Sequence, residues 1–184
     1  EEGGDDPFLK DKHPPLLVVQ AMFNEINLLE KTLNSAEFQK LQNQISALPI
    51  KNLRLIQEAM QMESFLASET KNGLADLSYL VSYQGPAENE TEFLQYYRDH
   101  HPQILMHFPD VRRVELGLPV KWTPAPNIEH ANRLLYCEVS FDSMSLLNTA
   151  LNSPMRAELR KDFECFPPFS GAVTHFPMHR QSIL

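Results

Sequence analysis

The sequence has few of the residues on which several classes of functional site depend. Among its 184 residues are two cysteines and six glycines. Two cysteines cannot build a disulfide framework, so a reducing cytoplasm is the simplest setting for the chain. So few glycines argue against a glycine-rich phosphate loop, and the sequence has no nucleophile elbow and no paired metal-binding carboxylates. We therefore expect neither a bound cofactor nor a metal ion.

Long apolar runs and an excess of positive charge are also absent. No run reaches the ~18 apolar residues that suggest a membrane-spanning helix, and no secretory signal is visible. The chain has 16 Lys and Arg residues against 24 Asp and Glu residues, which gives a net charge of −8. An acidic chain lacks the electrostatic footprint of most nucleic-acid-binding proteins. Neither a membrane nor a nucleic acid is therefore expected as a partner.

What the sequence does contain is an internal repeat. Placing Leu16 over Leu134, an offset of 134 − 16 = 118 residues, aligns further identical residues without a gap. The triplet Leu33-Asn34-Ser35 falls on Leu151-Asn152-Ser153, and a proline follows at the same place in both copies. Two unrelated amphipathic segments would share apolar positions, but they would not readily share this triplet in register. We interpret the repeat as a tandem duplication.

Apolar spacing and turn residues predict the order of the secondary-structure elements. Residues 77–179 read as strand, helix, strand, strand, helix, strand, which is the ferredoxin-like βαββαβ order. The first copy repeats only the last three of these elements. The predicted strands are 16–23, 53–63, 77–83, 112–118, 133–141 and 171–179, and the predicted helices are 25–47, 89–108 and 143–163. The fold class is therefore predicted to be α+β.

This order divides the chain into one complete and one partial unit. Residues 77–181 form the complete ferredoxin-like unit, and residues 14–70 form a strand–helix–strand piece whose first half is missing. In a ferredoxin-like sheet the third and fourth strands flank the first, so the partial unit has an empty slot in its sheet. The chain starts with Glu1 and not with Met. We expect the missing strand to come from residues upstream or from another chain, and we favour the first source.

One segment of the complete unit carries a family resemblance. Residues 93–115 contain two adjacent tyrosines, the His101-Pro102 step, a proline near the helix end and a strand that opens with Arg-Arg-Val. This motif resembles the EthD family of the dimeric α+β barrel superfamily, and the likeness in element order extends over residues 77–179. The usual Pro-Gly at the helix end of the family is Pro109-Asp110 here, a difference that concerns the turn.

The resemblance implies two ferredoxin-like units packed sheet against sheet into a barrel. EthD-like proteins do this as homodimers, and a duplicated chain would do it within itself. The family implies a small, largely apolar organic ligand and no cofactor, but it has no securely established reaction and is associated with the degradation of ethers and other xenobiotics. Relatives on the scaffold include monooxygenases, polyketide cyclases, muconolactone isomerases and haem-degrading enzymes. The fold alone does not select among them.

His101 is the candidate catalytic residue. It shares a helical face with Phe93, Tyr97 and Leu105, which places an imidazole on an apolar stripe that should meet the sheet. A buried imidazole with a pKa close to neutrality can move a proton. The alternative is a histidine that hydrogen-bonds a neighbouring carbonyl or tyrosine and stabilises the helix where Pro102 interrupts its hydrogen bonding.

Four further residues are candidate ligand contacts: Tyr83, Tyr97, Arg113 and His175. The tyrosines can donate a hydroxyl to a ligand, and the alternative is that they are core aromatics with satisfied hydroxyls. Arg113 shares a strand face with Glu115, so the alternative for it is an ion pair that joins two strands. His175 lies on the same strand face as His179. Together with His101, these histidines could form a metal or haem site. No metal-binding spacing supports that site, so a structural or surface role is the alternative.

These features lead to two functions from different classes. The first is an EthD-like protein that binds a small apolar organic molecule between helices and sheet, with His101 as general acid or base in a cofactor-independent oxidation, isomerisation or cyclisation. The second is a non-catalytic accessory or assembly protein whose barrel is an oligomerisation scaffold. A cavity lined by His101 would favour the first, and a filled, dry interface would favour the second. A haem-degrading monooxygenase is a third alternative, which needs a histidine with open access to iron.

Overall fold

A five-stranded sheet forms the centre of the larger of two units in the computed structural model, which describes residues 6, 11, 13–66, 74–126 and 128–182. The larger unit comprises residues 61–118 and 132–184 together with the N-terminal residues up to 14, and the smaller unit comprises residues 15–60 and 119–131. In chain order the elements are α1 Ile26–Leu33, α2 Ala36–Ser46, β1 Ile56–Gln57, β2 Met60–Leu66, β3 Leu77–Gln84, α3 Glu90–Leu105, β4 Arg113–Pro119, β5 Glu129–His130, β6 Arg133–Phe141, α4 Met144–Leu151, α5 Pro154–Phe163 and β7 Val173–His179.

The sheet of the larger unit has the ferredoxin-like strand order. Its strands lie in the order β2-β4-β6-β3-β7, and β3 pairs antiparallel with both β6 and β7. The third and fourth strands of the βαββαβ unit therefore flank its first strand, as predicted. The α+β, ferredoxin-like prediction for residues 77–179 is confirmed, with β2 as an additional strand beside β4.

Alternation along β3 decides which side chains face the helices. Tyr79, Val81 and Tyr83 are buried on the face that α3 and α5 cover. Helix α3 begins at Asn89, whose side chain accepts a hydrogen bond from the backbone N–H of Glu92 at 3.2 Å. Its apolar stripe places Phe93, Tyr97 and Leu105 in the core beside β3 and β6. The imidazole of His101 is consequently carried to the helix–sheet interface by the spacing of its apolar neighbours.

The helix predicted over 143–163 is two helices in the structure. Ser143 caps α4 by accepting a hydrogen bond from the Leu146 backbone N–H at 3.3 Å, and α4 ends at Leu151. A new helix, α5, begins at Pro154. Proline disfavours the helical conformation of the residue before it, here Ser153, and suits the first position of a helix. The helix is therefore interrupted at Asn152-Ser153, and a second helix begins at Pro154.

The smaller unit has less regular structure than the sequence predicts. The predicted helix 25–47 is again two helices, α1 and α2, with Ser35 accepting a hydrogen bond from the Phe38 backbone N–H at 3.2 Å. The predicted strand 53–63 is present as the short β1 and part of β2. Residues 119–132, between two predicted strands, contain β5, which pairs in parallel with β1. Neither α1 nor α2 contains a buried residue.

The strand predicted over residues 16–23 is wrong. These residues form no strand, and several of their apolar side chains are exposed, including Leu17 at 74% and Met22 at 76%. A strand depends on hydrogen bonds to a neighbouring strand, and an isolated one is not stable in water. No described strand pairs with residues 16–23. Despite their β-forming composition, these residues therefore have no neighbouring strand with which to form backbone hydrogen bonds.

None of the helices in the described part of the chain combines the length and the apolar character needed to cross a membrane.

Candidate functional site

A cavity of about 90 Å³ lies between the sheet of the larger unit and the helices α3 and α5. It is lined by four of the predicted site residues, namely Tyr83, Tyr97, His101 and His175. Apolar side chains form much of its wall, among them Leu105, Phe108 and Phe163. The walls of this cavity thus combine a mainly apolar surface with a few polar groups, which is the usual composition of a small-molecule site.

His101 is held by a carboxylate from the neighbouring helix. Its Nδ1 lies 2.6 Å from Oδ2 of Asp162 on α5, and the two side chains are 9% and 8% exposed. The Tyr96 hydroxyl donates to the other oxygen of Asp162 at 3.2 Å. An ionised carboxylate only accepts hydrogen bonds, so Nδ1 carries the proton in the neutral ring. Within the described residues Asp162 is the hydrogen-bond partner of the ring, which leaves the Nε2 lone pair available to a ligand.

Burial decides the protonation state of His101. Desolvation lowers the pKa of its imidazole below the ordinary value of 6.5, and Asp162 opposes this effect without overcoming it. The imidazole is therefore neutral at pH 7, with Nε2 unprotonated. A neutral imidazole oriented by a carboxylate through its other nitrogen is the arrangement of a general base.

Tyr97 lines the same cavity, and its hydroxyl oxygen is buried. The residue is 1% exposed, and its hydroxyl has no hydrogen-bond partner among the residues that the structure describes. An unmade hydrogen bond on a buried polar group costs about 1–3 kcal/mol. Burial is the main reason that the pKa of Tyr97 lies well above 10.0, and the neighbouring Cys137 thiol and Tyr83 hydroxyl raise it further, so its phenol stays protonated. Its ring meets the ring of Tyr83 edge to face, with centroids 5.2 Å apart.

Asp6 lines the cavity, and Asp11 contacts the cavity residue His175. Asp6 accepts hydrogen bonds from Arg156 of α5, with Nε–Oδ2 at 2.8 Å and Nη2–Oδ1 at 3.2 Å. Asp11 accepts one from the backbone N–H of His175 at 2.7 Å, and its Oδ2 lies 2.9 Å from the His175 Nδ1. Burial lowers the pKa of His175, and the nearby Asp11 opposes this shift.

Arg113 does not lie at this cavity. Its side chain is 45% exposed and contacts Glu115 on the same strand, with Nη1 and Oε1 3.5 Å apart. Val114, between them, pairs with Val139, which lines the cavity. Alternation therefore places Arg113 and Glu115 on the opposite face of the sheet. The ion pair that sequence analysis offered as the alternative is present, but it lies within β4 and does not join two strands.

Several residues of the site were missed by the sequence analysis, above all Asp162, Arg156, Asp6 and Tyr79. A weak signal for the first two exists on α5. Arg156 and Asp162 each lie three residues from the buried Leu159, so they share its helical face. Charged residues at such positions indicate partners within the protein. Nothing in the sequence near Asp6 signals its contact with Arg156, which is 150 residues away.

In residues 6, 11, 13–66, 74–126 and 128–182, no group of three or more His, Cys, Asp or Glu side chains is placed to hold a metal ion.

Comparison with known proteins adds a likeness in fold. No family model matches the sequence, and no curated protein matches it significantly. Among solved structures, the chain is similar to an ethyl tert-butyl ether D (EthD) family protein from Bacillus halodurans C-125, with 20% identity, a TM-score of 0.42 and coverage of 54% of this chain and 96% of that one. It is also similar to a dimeric protein of unknown function and ferredoxin-like fold from Bacteroides fragilis NCTC 9343, with 11% identity, a TM-score of 0.42 and coverage of 56% and 95%. These likenesses concern the fold alone.

The balance between burial and Asp162 yields a testable prediction. We expect the His101 imidazole to titrate below 6.5 in a proton–carbon NMR pH titration, with its resonance assigned by its loss in His101→Gln. Because Asp162 favours the imidazolium, Asp162→Asn should lower this midpoint further. The matched control is Asp99→Asn on α3, which removes an exposed carboxylate that accepts a hydrogen bond from Gln95 and should leave the midpoint unchanged. A midpoint above 6.5 would show that the carboxylate, and not burial, controls the ring.

Proposed function

We propose that the larger unit binds a small, largely apolar organic molecule in the cavity beside His101, as an EthD-like protein. One observation carries this proposal: Tyr97 and the carboxylate-oriented His101 imidazole line the same mainly apolar cavity of about 90 Å³. A ligand that accepts a hydrogen bond from Tyr97 would satisfy the buried hydroxyl. The EthD-like sequence motif supports the same reading, because its Tyr97 and His101 are the residues concerned.

The chemistry that these groups support best is proton transfer. Nε2 of the neutral His101 takes a proton from an acidic C–H or O–H of the ligand, and Asp162 stabilises the imidazolium that forms. Tyr97 donates a hydrogen bond to the oxygen on which negative charge develops. In an isomerisation or cyclisation the imidazolium then returns the proton to another atom of the ligand. A cofactor-independent oxidation, or xenobiotic degradation through one, would use dioxygen as the oxidant.

The alternative function is a non-catalytic accessory or oligomerisation scaffold. Such a role needs no cavity and no oriented imidazole in the helix–sheet interface, so a filled interface would be sufficient. The open volume beside His101 favours the ligand-binding proposal. His175, Tyr83 and Tyr97 take the role of ligand contacts in it, and Arg113, on the opposite sheet face, serves association and not this cavity.

The internal repeat supports a proposal for the domain organisation. We propose a tandem duplication, with a partial ferredoxin-like unit at 14–70, of which residues 67–70 lie outside the described part of the chain, and a complete unit at 77–181. Helices α1 and α4, at Ile26–Leu33 and Met144–Leu151, have the same length and start 144 − 26 = 118 residues apart. Both are followed by the Asn-Ser step and a second helix. A shared helix break at the sequence offset is what a duplicated unit predicts.

The opposite face of the sheet supports association of two ferredoxin-like units, sheet against sheet, as a homodimer or within a duplicated chain. Half-buried apolar side chains and charged ones alternate with the cavity-facing residues there. Leu80 of β3 stands between Phe176 of β7 and Glu138 of β6 in register, and Glu138 stands opposite Glu115 of β4. The same half-buried apolar patch on two units can pack against itself, as a two-fold interface requires. Because neither cysteine is paired, we propose that the protein acts in the reducing cytoplasm.

Binding in the cavity is tested by filling it. Benzyl alcohol, a neutral apolar probe with a hydrogen-bond acceptor, should bind the wild type, and Tyr97→Phe should weaken its binding about three- to tenfold because one hydrogen bond is lost. Val173→Phe places a larger ring into the cavity wall and should abolish binding. The control Thr174→Phe adds the same bulk at the neighbouring residue, which faces away. Ligand-observed NMR measures the affinities. Equal affinity of benzyl alcohol for Val173→Phe and Thr174→Phe, or no binding to the wild type, contradicts the proposal.

Association is tested separately by size-exclusion chromatography with light scattering. We expect a dimer of the 184-residue chain at high concentration, because the sheet face is self-complementary. Phe176→Glu adds a charge to that face and should shift the equilibrium to the monomer. The control Leu28→Glu alters an exposed apolar residue of α1 and should not. A wild type that is monomeric at every concentration would contradict the proposed homodimer. A dimer that is lost only in Leu28→Glu would contradict the proposal that the sheet face is the interface.

A further inference from the structure

We propose that the ligand of the cavity carries a carboxylate, that Arg156 and Tyr79 bind this group, and that the carboxylate of Asp6 occupies its position in the present structure. This inference rests on the proposed function of the cavity and specifies the class of its ligand. It assigns a recognition role to Arg156, which the proton-transfer chemistry at His101 does not use.

The geometry around Asp6 is that of carboxylate recognition. Two N–H groups of Arg156 donate to the two oxygens of Asp6, over 2.8 Å from Nε and 3.2 Å from Nη2. The Tyr79 hydroxyl is a third donor, 3.4 Å from Oδ2. The Arg156 and Asp6 side chains are 12% and 4% exposed. A planar guanidinium that meets both oxygens of one carboxylate gives both affinity and orientation, and it does so for any carboxylate of matching shape.

The location of this arrangement connects it to the cavity. Arg156, Tyr79 and Asp6 line the same cavity as Tyr97 and His101. The rest of the wall is mainly apolar, with Leu105, Phe108 and Val139 among its members. A molecule that matches this wall has an ionised carboxylate, held by Arg156, and a compact apolar body. Small aromatic and alicyclic carboxylic acids are the class with these properties.

Asp6 is suited to act as a replaceable occupant. It belongs to none of the described helices or strands, so its carboxylate can leave Arg156 without breaking a hydrogen bond of the sheet. It is also tethered to the same chain, so it competes with every ligand carboxylate at high effective concentration. The apparent affinity for a ligand is then reduced by the fraction of molecules in which Asp6 occupies the position. Weakening the Asp6 contact should therefore raise the affinity for carboxylates and for no other class.

The test compares benzoate with its neutral isostere benzamide by titration calorimetry at neutral pH. Asp6→Asn should strengthen benzoate binding about tenfold, because the competing charge is removed, and should leave benzamide binding within about twofold of the wild type. Arg156→Gln should abolish the preference for benzoate. Asp99→Asn is the matched control for the first variant, since it removes an exposed carboxylate that contacts Gln95 and not Arg156. Lys161→Gln is the control for the second, since it removes an exposed positive charge from the same helix.

Each outcome decides the inference. Benzoate binding that is stronger than benzamide binding, or that is detected only in Asp6→Asn, supports it. Benzamide binding that equals or exceeds benzoate binding in the wild type and in Asp6→Asn overturns it and leaves the proposed function intact. Failure of both probes with every variant overturns the proposed function and this inference together. If Arg156→Gln does not fold, Arg156→Lys retains the charge without the planar fork and should lose most of the preference for benzoate, and the Asp6→Asn comparison stands without it.

Discussion

The hydrogen bond between His101 and Asp162 is the contact on which the candidate site depends. It joins α3 to α5 at 2.6 Å in an interface from which solvent is largely excluded. Removal of either partner would leave a polar group buried without compensation, so the two helices are fixed in register above the sheet. Arg156, six residues or about 1.7 turns before Asp162 on α5, lines the same cavity. The spacing of these two polar groups is thus set by a helix and not by a flexible loop.

This arrangement explains how the cavity combines apolar walls with buried polar groups. The core beneath it is built from aromatic and branched apolar side chains of β3, β6 and α3. Polar groups survive in such an environment only when they are paired or have a ligand. Asp162 pairs with His101 and Tyr96, and Asp6 pairs with Arg156, whereas the Tyr97 hydroxyl has no partner among the described residues. The Ser153 hydroxyl of the larger unit shares this lack of a partner, but Tyr97 is the residue of the two that lines the cavity.

The sequence predicts the complete unit well because its information there is local. Apolar periodicity indicates each element of residues 77–179, and the three- and four-residue spacing on α3 is sufficient to bury His101. The contact between His101 and Asp162, 61 residues apart, depends on how α3 and α5 pack, which no local pattern records. Ser153-Pro154 divides a helix that periodicity alone treats as continuous. The strand predicted at 16–23 fails for the complementary reason, since β-forming composition cannot supply the neighbouring strand that a ladder requires.

The most direct measurement is a crystal structure of the protein pressurised with xenon, an apolar atom that enters accessible apolar cavities. We expect xenon density between α3, α5 and the sheet, in contact with Leu105, Phe108 or Phe163. We also expect the His101 Nδ1 to lie at hydrogen-bond distance from Asp162. A helix–sheet interface that excludes xenon, with both nitrogens of His101 bonded to backbone groups, would contradict both the ligand-binding cavity and the proposed role of His101 as a general base. The histidine would then be a structural residue of the scaffold.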